Sequence, residues 1–206
     1  MKEICFHNKL QYVTQYPENF MASQKYPLLI YIHGAGGRGS DIEPLYHADF
    51  FDAVEKQNLN VIAAAPQCYA DTWFCIFEQL QEFILQMVGQ NYIDKDRVYL
   101  IGASMGGYAT WQLAMSKPEL FAAIVPICGG GMYWNAGRLK DMAVWAFHGS
   151  DDLVVFCEES KKMVRAVNEK GGSARLTIYE GVEHASWVNV FAEQEMWSWL
   201  LKQKKT

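Results

Sequence analysis

Residues 97–107 read RVYLIGASMGG, and the order of these residues decides the fold. Val98–Ala103 is a short apolar run rich in strand-forming side chains, the pattern of a strand covered on both faces. From Met105 to Lys117 the residues favour helix. At the junction lies Gly102-Ala103-Ser104-Met105-Gly106, a Gly-x-Ser-x-Gly pattern. The pattern alone recurs by chance. It gains weight from its place after a strand and before a helix, the order of a nucleophile elbow. Glycines relieve crowding where such a turn presses the backbone against its neighbours. The turn lifts the Ser104 hydroxyl above the carboxyl ends of the strands, where open α/β sheets bind ligands. It also sets the serine at a helix N-terminus, which favours developing negative charge. The plainer account is a serine that caps a helix; the motif in its context favours a nucleophile.

The pattern of that stretch repeats on both sides. Leu28–His33, Val61–Ala65, Ala122–Ile127, Val144–Phe147 and Arg175–Tyr179 are further strand-length runs. Helix-length segments alternate with them: Ile42–Gln57, Phe74–Gly89, Met105–Lys117, Glu158–Glu169 and Trp187–Lys202. In Glu158–Glu169, Met163, Val164 and Val167 share an inward face, and Gly171 and Gly172 stop the helix. Strand–helix alternation of this kind implies right-handed crossovers on one mostly parallel central sheet with helices on both faces, an α/β fold. Ile4–Tyr16 is expected to add an antiparallel hairpin at one edge. A single domain over residues 1–206 fits the length. The pattern contains no inserted cap domain.

A serine hydroxyl needs a base to take its proton. Of five histidines, His184 lies on the loop between the last strand and the last helix, where a fold of this kind delivers its histidine. His33 and His148 each end a strand as His-Gly; buried histidines bonded to backbone are the preferred account of both. The acid belongs after another strand, and HGSDDLVV, residues 148–155, offers Asp151 and Asp152 in the chain order Ser, Asp, His. Spacing does not choose between them. An oxyanion needs two donors. The Met105 amide is one candidate, and the glycine-rich loop of residues 33–41 supplies the other, Ala35 being favoured over Gly36. That loop has neither the Lys-Ser/Thr ending of a phosphate-binding loop nor dinucleotide spacing. Strand-end loops also carry Gln67, Trp73, Gly130, Met132, Tyr133, Trp134 and Trp187, candidates for a substrate pocket. Any single one of these aromatics is more simply core; Trp187 is favoured because it stands three residues from His184.

Half the residues are hydrophobic, a fifth are charged and the formal net charge is −5, as in ordinary soluble globular proteins. The acidic balance weighs against nucleic-acid and anionic-membrane partners. Five cysteines without a Cys-x-x-Cys pair argue against a metal knuckle or disulfide framework and for reduced thiols in a cytoplasm. Met1–Lys9 is no signal peptide, and no run reaches the roughly 18 apolar residues of a membrane helix.

YPLLIYIHGAGGRGSD, APQC with Trp73, DRVYLIGASMGGYATWQLA, KPELFAAIVPICGGG, HGSDDLVV and YEGVEHASW occur in that order between Tyr26 and Leu201. Together they resemble the α/β-hydrolase superfamily. More narrowly the chain is similar to small cap-less esterases related to polyhydroxybutyrate depolymerases, feruloyl esterases, predicted peptidases and dienelactone hydrolase-like proteins. The resemblance implies a serine esterase with Ser104 as nucleophile, His184 as base and Asp152, not Asp151, as acid. It matches the oxyanion amides to Ala35 and Met105, and it implies no metal and no organic cofactor. Phe156 departs from the pattern, since similar proteins often carry proline there. A pocket including Trp187, Gln67 and Trp134 would take a small-molecule ester, short-chain, aryl or acylated carbohydrate. Rival readings are a peptidase or amidase of prolyl-oligopeptidase type, a thioesterase or lysophospholipase, and a non-catalytic binding protein on the same fold. The sequence carries no reading of oligomeric state.

Overall fold

The computed structural model of the protein describes residues 1–205. Eight strands form one sheet: β1 (Lys2–His7), β2 (Leu10–Gln15), β3 (Tyr26–Ile32), β4 (Ile62–Pro66), β5 (Ile93–Ala103), β6 (Ala123–Ile127), β7 (Ala143–Gly149) and β8 (Arg175–Tyr179). Their spatial order is β1-β2-β4-β3-β5-β6-β7-β8. From β4 to β8 every pairing is parallel; β1 with β2 and β2 with β4 run antiparallel. The edge hairpin turns at Asn8 and Lys9, both with positive φ, the geometry of a two-residue hairpin turn whose twist matches its strands.

The α-helices among the described residues are α1 (Glu43–Tyr46), α2 (Asp49–Lys56), α3 (Phe77–Val88), α4 (Met105–Ser116), α5 (Glu158–Glu169), α6 (Trp187–Ala192) and α7 (Gln194–Lys202). Side chains alternate across each strand, and the two faces collect separate cores. Leu28, Ile30 and Ile32 of β3 join Val98 and Leu100 of β5 beneath α3, α4 and α5. Leu29 and Tyr31 join Tyr99 and Ile101 beneath α1, α2, α6 and α7. Burial on both sides is why these strands read as continuous apolar runs. Between β6 and β7, Tyr133–Leu139 makes only a 3-10 turn, and no cap is inserted among the described residues.

Two expected helices are each broken in two. Residues 42–57 divide at His47-Ala48, where Ala48 is extended (φ −69°, ψ 142°). Residues 187–202 divide at Glu193, also non-helical (φ −83°, ψ 104°); the indole of Trp197 donates to the freed Phe191 carbonyl at 3.0 Å. Residues 73–76 form a 3-10 turn ahead of α3.

The register levels the strand ends. Ile32 of β3 lies opposite Gly102 of β5, Ala103 opposite Ile127 of β6, and Ile127 opposite Phe147 of β7. The loops leaving β3, β5, β6, β7 and β8 therefore emerge at one edge of the sheet.

Candidate active site

Ser104 occupies the turn between the central strand β5 and α4 with φ 56° and ψ −118°. Positive φ is strained for a residue with a side chain and persists only where the surroundings enforce it. They do so here: the Ser104 amide donates to the Ile127 carbonyl at 2.9 Å, and α4 lies hard against β3 and β5. A Cβ on Gly106 would overlap the Ile32 carbonyl, and one on Gly102 would overlap the Thr110 hydroxyl and the Gly106 carbonyl.

The Ser104 hydroxyl lies 2.8 Å from His184 Nε2, and His184 Nδ1 lies 2.7 Å from Asp152 Oδ2. A carboxylate only accepts, so the His184 proton sits on Nδ1, and Nε2 is left to accept from the serine. The three residues arrive on the elbow after β5, the loop after β7 and the loop after β8. The other Asp152 oxygen accepts the Val154 and Val155 amides, both at 2.9 Å. Burial pushes the Asp152 carboxyl upward, but the His184 hydrogen bond and the two amides outweigh it and hold the group below its ordinary range. Asp151 is exposed and accepts only the Ser150 hydroxyl.

The loop after β3 passes against the serine: a Cβ on Gly34 would stand 3.3 Å from Ser104 Cβ. Ala35 follows, opening a 3-10 turn. The Met105 amide is the first N–H of α4 and has no acceptor within the helix. Buried His33 braces the loop: Nε2 accepts the Cys68 amide at 3.0 Å, and Nδ1 donates to the Gly34 carbonyl at 2.6 Å. Burial lowers the His33 pKa to about 4. This is the backbone-bonded histidine expected from the sequence.

A cavity of about 580 Å³ opens at Ser104 and His184, with Tyr31, Leu45, Phe50, Trp187 and Phe191 among its walls. Trp187 meets the His184 ring edge to face at 5.7 Å. Two other residues expected in the pocket stand outside it. Gln67 is buried, and its amide donates to the Gly37 carbonyl at 2.8 Å; it braces the loop after β3. Trp134 is 68% exposed and packs edge-on against Tyr133. Trp73, also weighed for the pocket, is fully buried and donates to the His33 carbonyl at 2.9 Å.

Sequence reading missed Tyr31, Phe50 and Phe191. No sequence pattern separates these three from the core aromatics of the same sheet face, among which they are buried. It also missed Cys128, whose sulfur lies within 4.8 Å of the ligand atoms of Asp152 and His184. Those two are already bonded to each other, and burial pushes the Cys128 thiol up to about 12, which keeps it protonated and a poor metal ligand.

A model of the prolyl oligopeptidase family matches residues 75–145. Probable feruloyl esterase C of Aspergillus terreus is 24% identical over 175 residues, covering 80% of this chain and 63% of that protein. Probable carboxylesterase 4, mitochondrial, of Arabidopsis thaliana is 31% identical over 127 residues, covering 50% and 33%. Among solved structures, a thermostable esterase superposes with a TM-score of 0.88 at 32% identity, over 100% of this chain and 63% of that one. Est1E from Butyrivibrio proteoclasticus gives 0.74 at 14% identity, over 97% and 98%. The chain spans less than two thirds of the length of the curated relatives it matches. It has the α/β-hydrolase fold.

Proposed function

We propose that this chain is a serine hydrolase of carboxylic esters, and the hydrogen-bonded relay from Ser104 through His184 to Asp152 carries that reading. His184 Nε2 takes the serine proton as the hydroxyl attacks the ester carbonyl. Asp152 holds the imidazole in the required tautomer and stabilises its charged form. The Ala35 and Met105 amides bind the oxyanion. His184 then protonates the departing alcohol, and a water activated by the same base cleaves the acyl-enzyme. These steps call on no metal or organic cofactor.

The mainly apolar and aromatic cavity beside Ser104 supports a short or aryl acyl group, and the feruloyl esterases among the relatives support the same class. An acylated carbohydrate fits if its sugar is the leaving group and stays outside the cavity. A cytoplasmic setting accords with five free cysteines. No helix among the described residues is long and apolar enough to cross a membrane.

An ester-library screen with a fluorophosphonate probe tests the reading. Turnover and covalent labelling are expected in the wild type, and Ser104→Ala should lose both while keeping its circular dichroism spectrum. Labelling of that variant at the wild-type rate would move the nucleophile elsewhere. The prolyl oligopeptidase match favours a second reading, a peptidase on the same relay. Higher kcat/KM on peptide amides than on matched aryl esters would favour it.

A further inference from the structure

A second imidazole reaches the same carboxylate. His148, at the end of β7, is fully buried. Its Nε2 lies 2.8 Å from the Val155 carbonyl and 3.2 Å from Asp152 Oδ2. Both neighbours are acceptors, so Nε2 must carry a proton. On its far side Nδ1 lies 2.7 Å from the Ser160 hydroxyl of α5, which in turn lies 2.9 Å from the Gly129 carbonyl after β6. The ring is thus pinned between α5 and the acid loop, and it bridges the two ends of that loop, residues 148 and 155.

We propose that His148 is a positioning residue for Asp152: its Nε2–H, bonded to the Val155 carbonyl, closes the loop around the carboxylate and stands 3.2 Å from Oδ2, so that Asp152 faces His184 in one orientation. Asp152 takes three N–H donors, two amides on Oδ1 and the His184 imidazole on Oδ2, and the His148 ring lies beside Oδ2. The two imidazoles flank one oxygen, so His148 also draws part of the Oδ2 charge away from His184. The role rests on the relay proposed above. Burial lowers the pKa of His148 against the opposing pull of Val155 and Asp152, so the ring donates from Nε2 while neutral, and the Ser160 hydroxyl, which donates to the Gly129 carbonyl, faces Nδ1. The other ionisable groups around the pair are Tyr108, Cys128 and Cys157, on which Asp152 acts, and Glu158, on which His148 acts.

Two amide substitutions separate positioning from packing. The side-chain amide of His148→Gln reaches the place of Nε2; that of His148→Asn reaches only the place of Nδ1. With a small aryl ester, His148→Asn should lower kcat about 10-fold, the worth of one buried hydrogen bond, with little change in KM. Its acid limb of kcat/KM should move to higher pH, because Oδ2 is then left to the His184 imidazolium alone. His148→Gln should stay within about threefold of wild type. Wild-type kcat and an unmoved limb in His148→Asn would overturn the proposal, as would equal losses in both variants, which would mean packing alone. Should neither fold, Ser160→Ala keeps the imidazole and removes only its far anchor. A lower kcat with a moved limb then supports positioning, and wild-type kinetics overturn it. Ser104→Ala runs beside them: turnover surviving in that control would fail the relay itself, whereas an inactive control beside a wild-type-like His148→Asn fails only the role of His148.

Discussion

Asp151 and Asp152 are neighbours in the chain with opposite surroundings. Asp152 is buried and takes three N–H donors, whereas Asp151 is solvated and its backbone amide donates to Val182 at 3.0 Å. Asp152→Asn puts an NH2 or a weaker acceptor where His184 Nδ1–H needs a carboxylate. It should lower kcat by about 10⁴-fold, the order found when a triad aspartate becomes asparagine. Asp151→Asn should change kcat less than about twofold, as substitutions at exposed positions away from the reacting groups do. Steady-state turnover of one aryl ester by both variants checks this, and the reverse ranking would exchange their roles. Spacing alone left this pair open because adjacent residues share every pattern, and only the family resemblance chose Asp152; what separates them physically is which side chain turns inward. Ser104 and His184 were legible because strand, turn and loop fix their places. Gln67 and Trp134 were misplaced because a strand-end position says that a residue is near the site, not that its side chain enters the cavity.

The elements show the same division between what pattern and packing decide. Arg175–Tyr179 and Glu158–Glu169 form where the sequence puts them, since periodicity and stop signals agree there. The breaks at Ala48 and Glu193 have no glycine or proline to announce them. Leu45 and Phe50 on either side of Ala48 are both buried, and an unbroken helix would rotate them out of register with the core, so tertiary packing overrides propensity. The first break matters to the site, because Pro44, Leu45, Ala48 and Phe50 line the cavity. The junction of α4 with β3 is tighter still. Gly106→Ala should cost about 3 kcal/mol or more, because backbone rather than a flexible side chain meets the new methyl. Gly36→Ala meets nothing within 4 Å and should cost less than about 0.5 kcal/mol. Urea unfolding of both variants tests the contrast; equal, small losses would mean that α4 can draw away from the sheet.

Across the whole molecule, folding at neutral pH keeps two imidazoles uncharged inside the protein, His33 under the loop after β3 and His148 under the acid loop. In the unfolded chain each titrates near 6.5, whereas folded His33 titrates near 4 and His148 is lowered in the same sense. A depressed histidine makes the unfolded state bind more protons between those values, so stability rises with pH there. The contribution is whole above about pH 6.5 and drains away as pH falls toward 4. For His33 alone, the loss between pH 7 and pH 4.5 is about 2–3 kcal/mol at roughly 1.4 kcal/mol per unit. Asp152, also held below its ordinary value, extends the loss to lower pH, because its stabilisation disappears as the carboxylate protonates. Urea unfolding at pH 7, 5.5 and 4.5 should therefore show a falling free energy in the wild type. His33→Gln removes one titrating group, so its curve should start lower at pH 7 and fall less steeply. The slope separates the two effects: a lost hydrogen bond lowers the curve uniformly, whereas a buried neutral imidazole tilts it. Parallel curves would show that His33 exchanges protons freely in the folded protein, and the loop after β3 would then be open to water rather than sealed beneath the site.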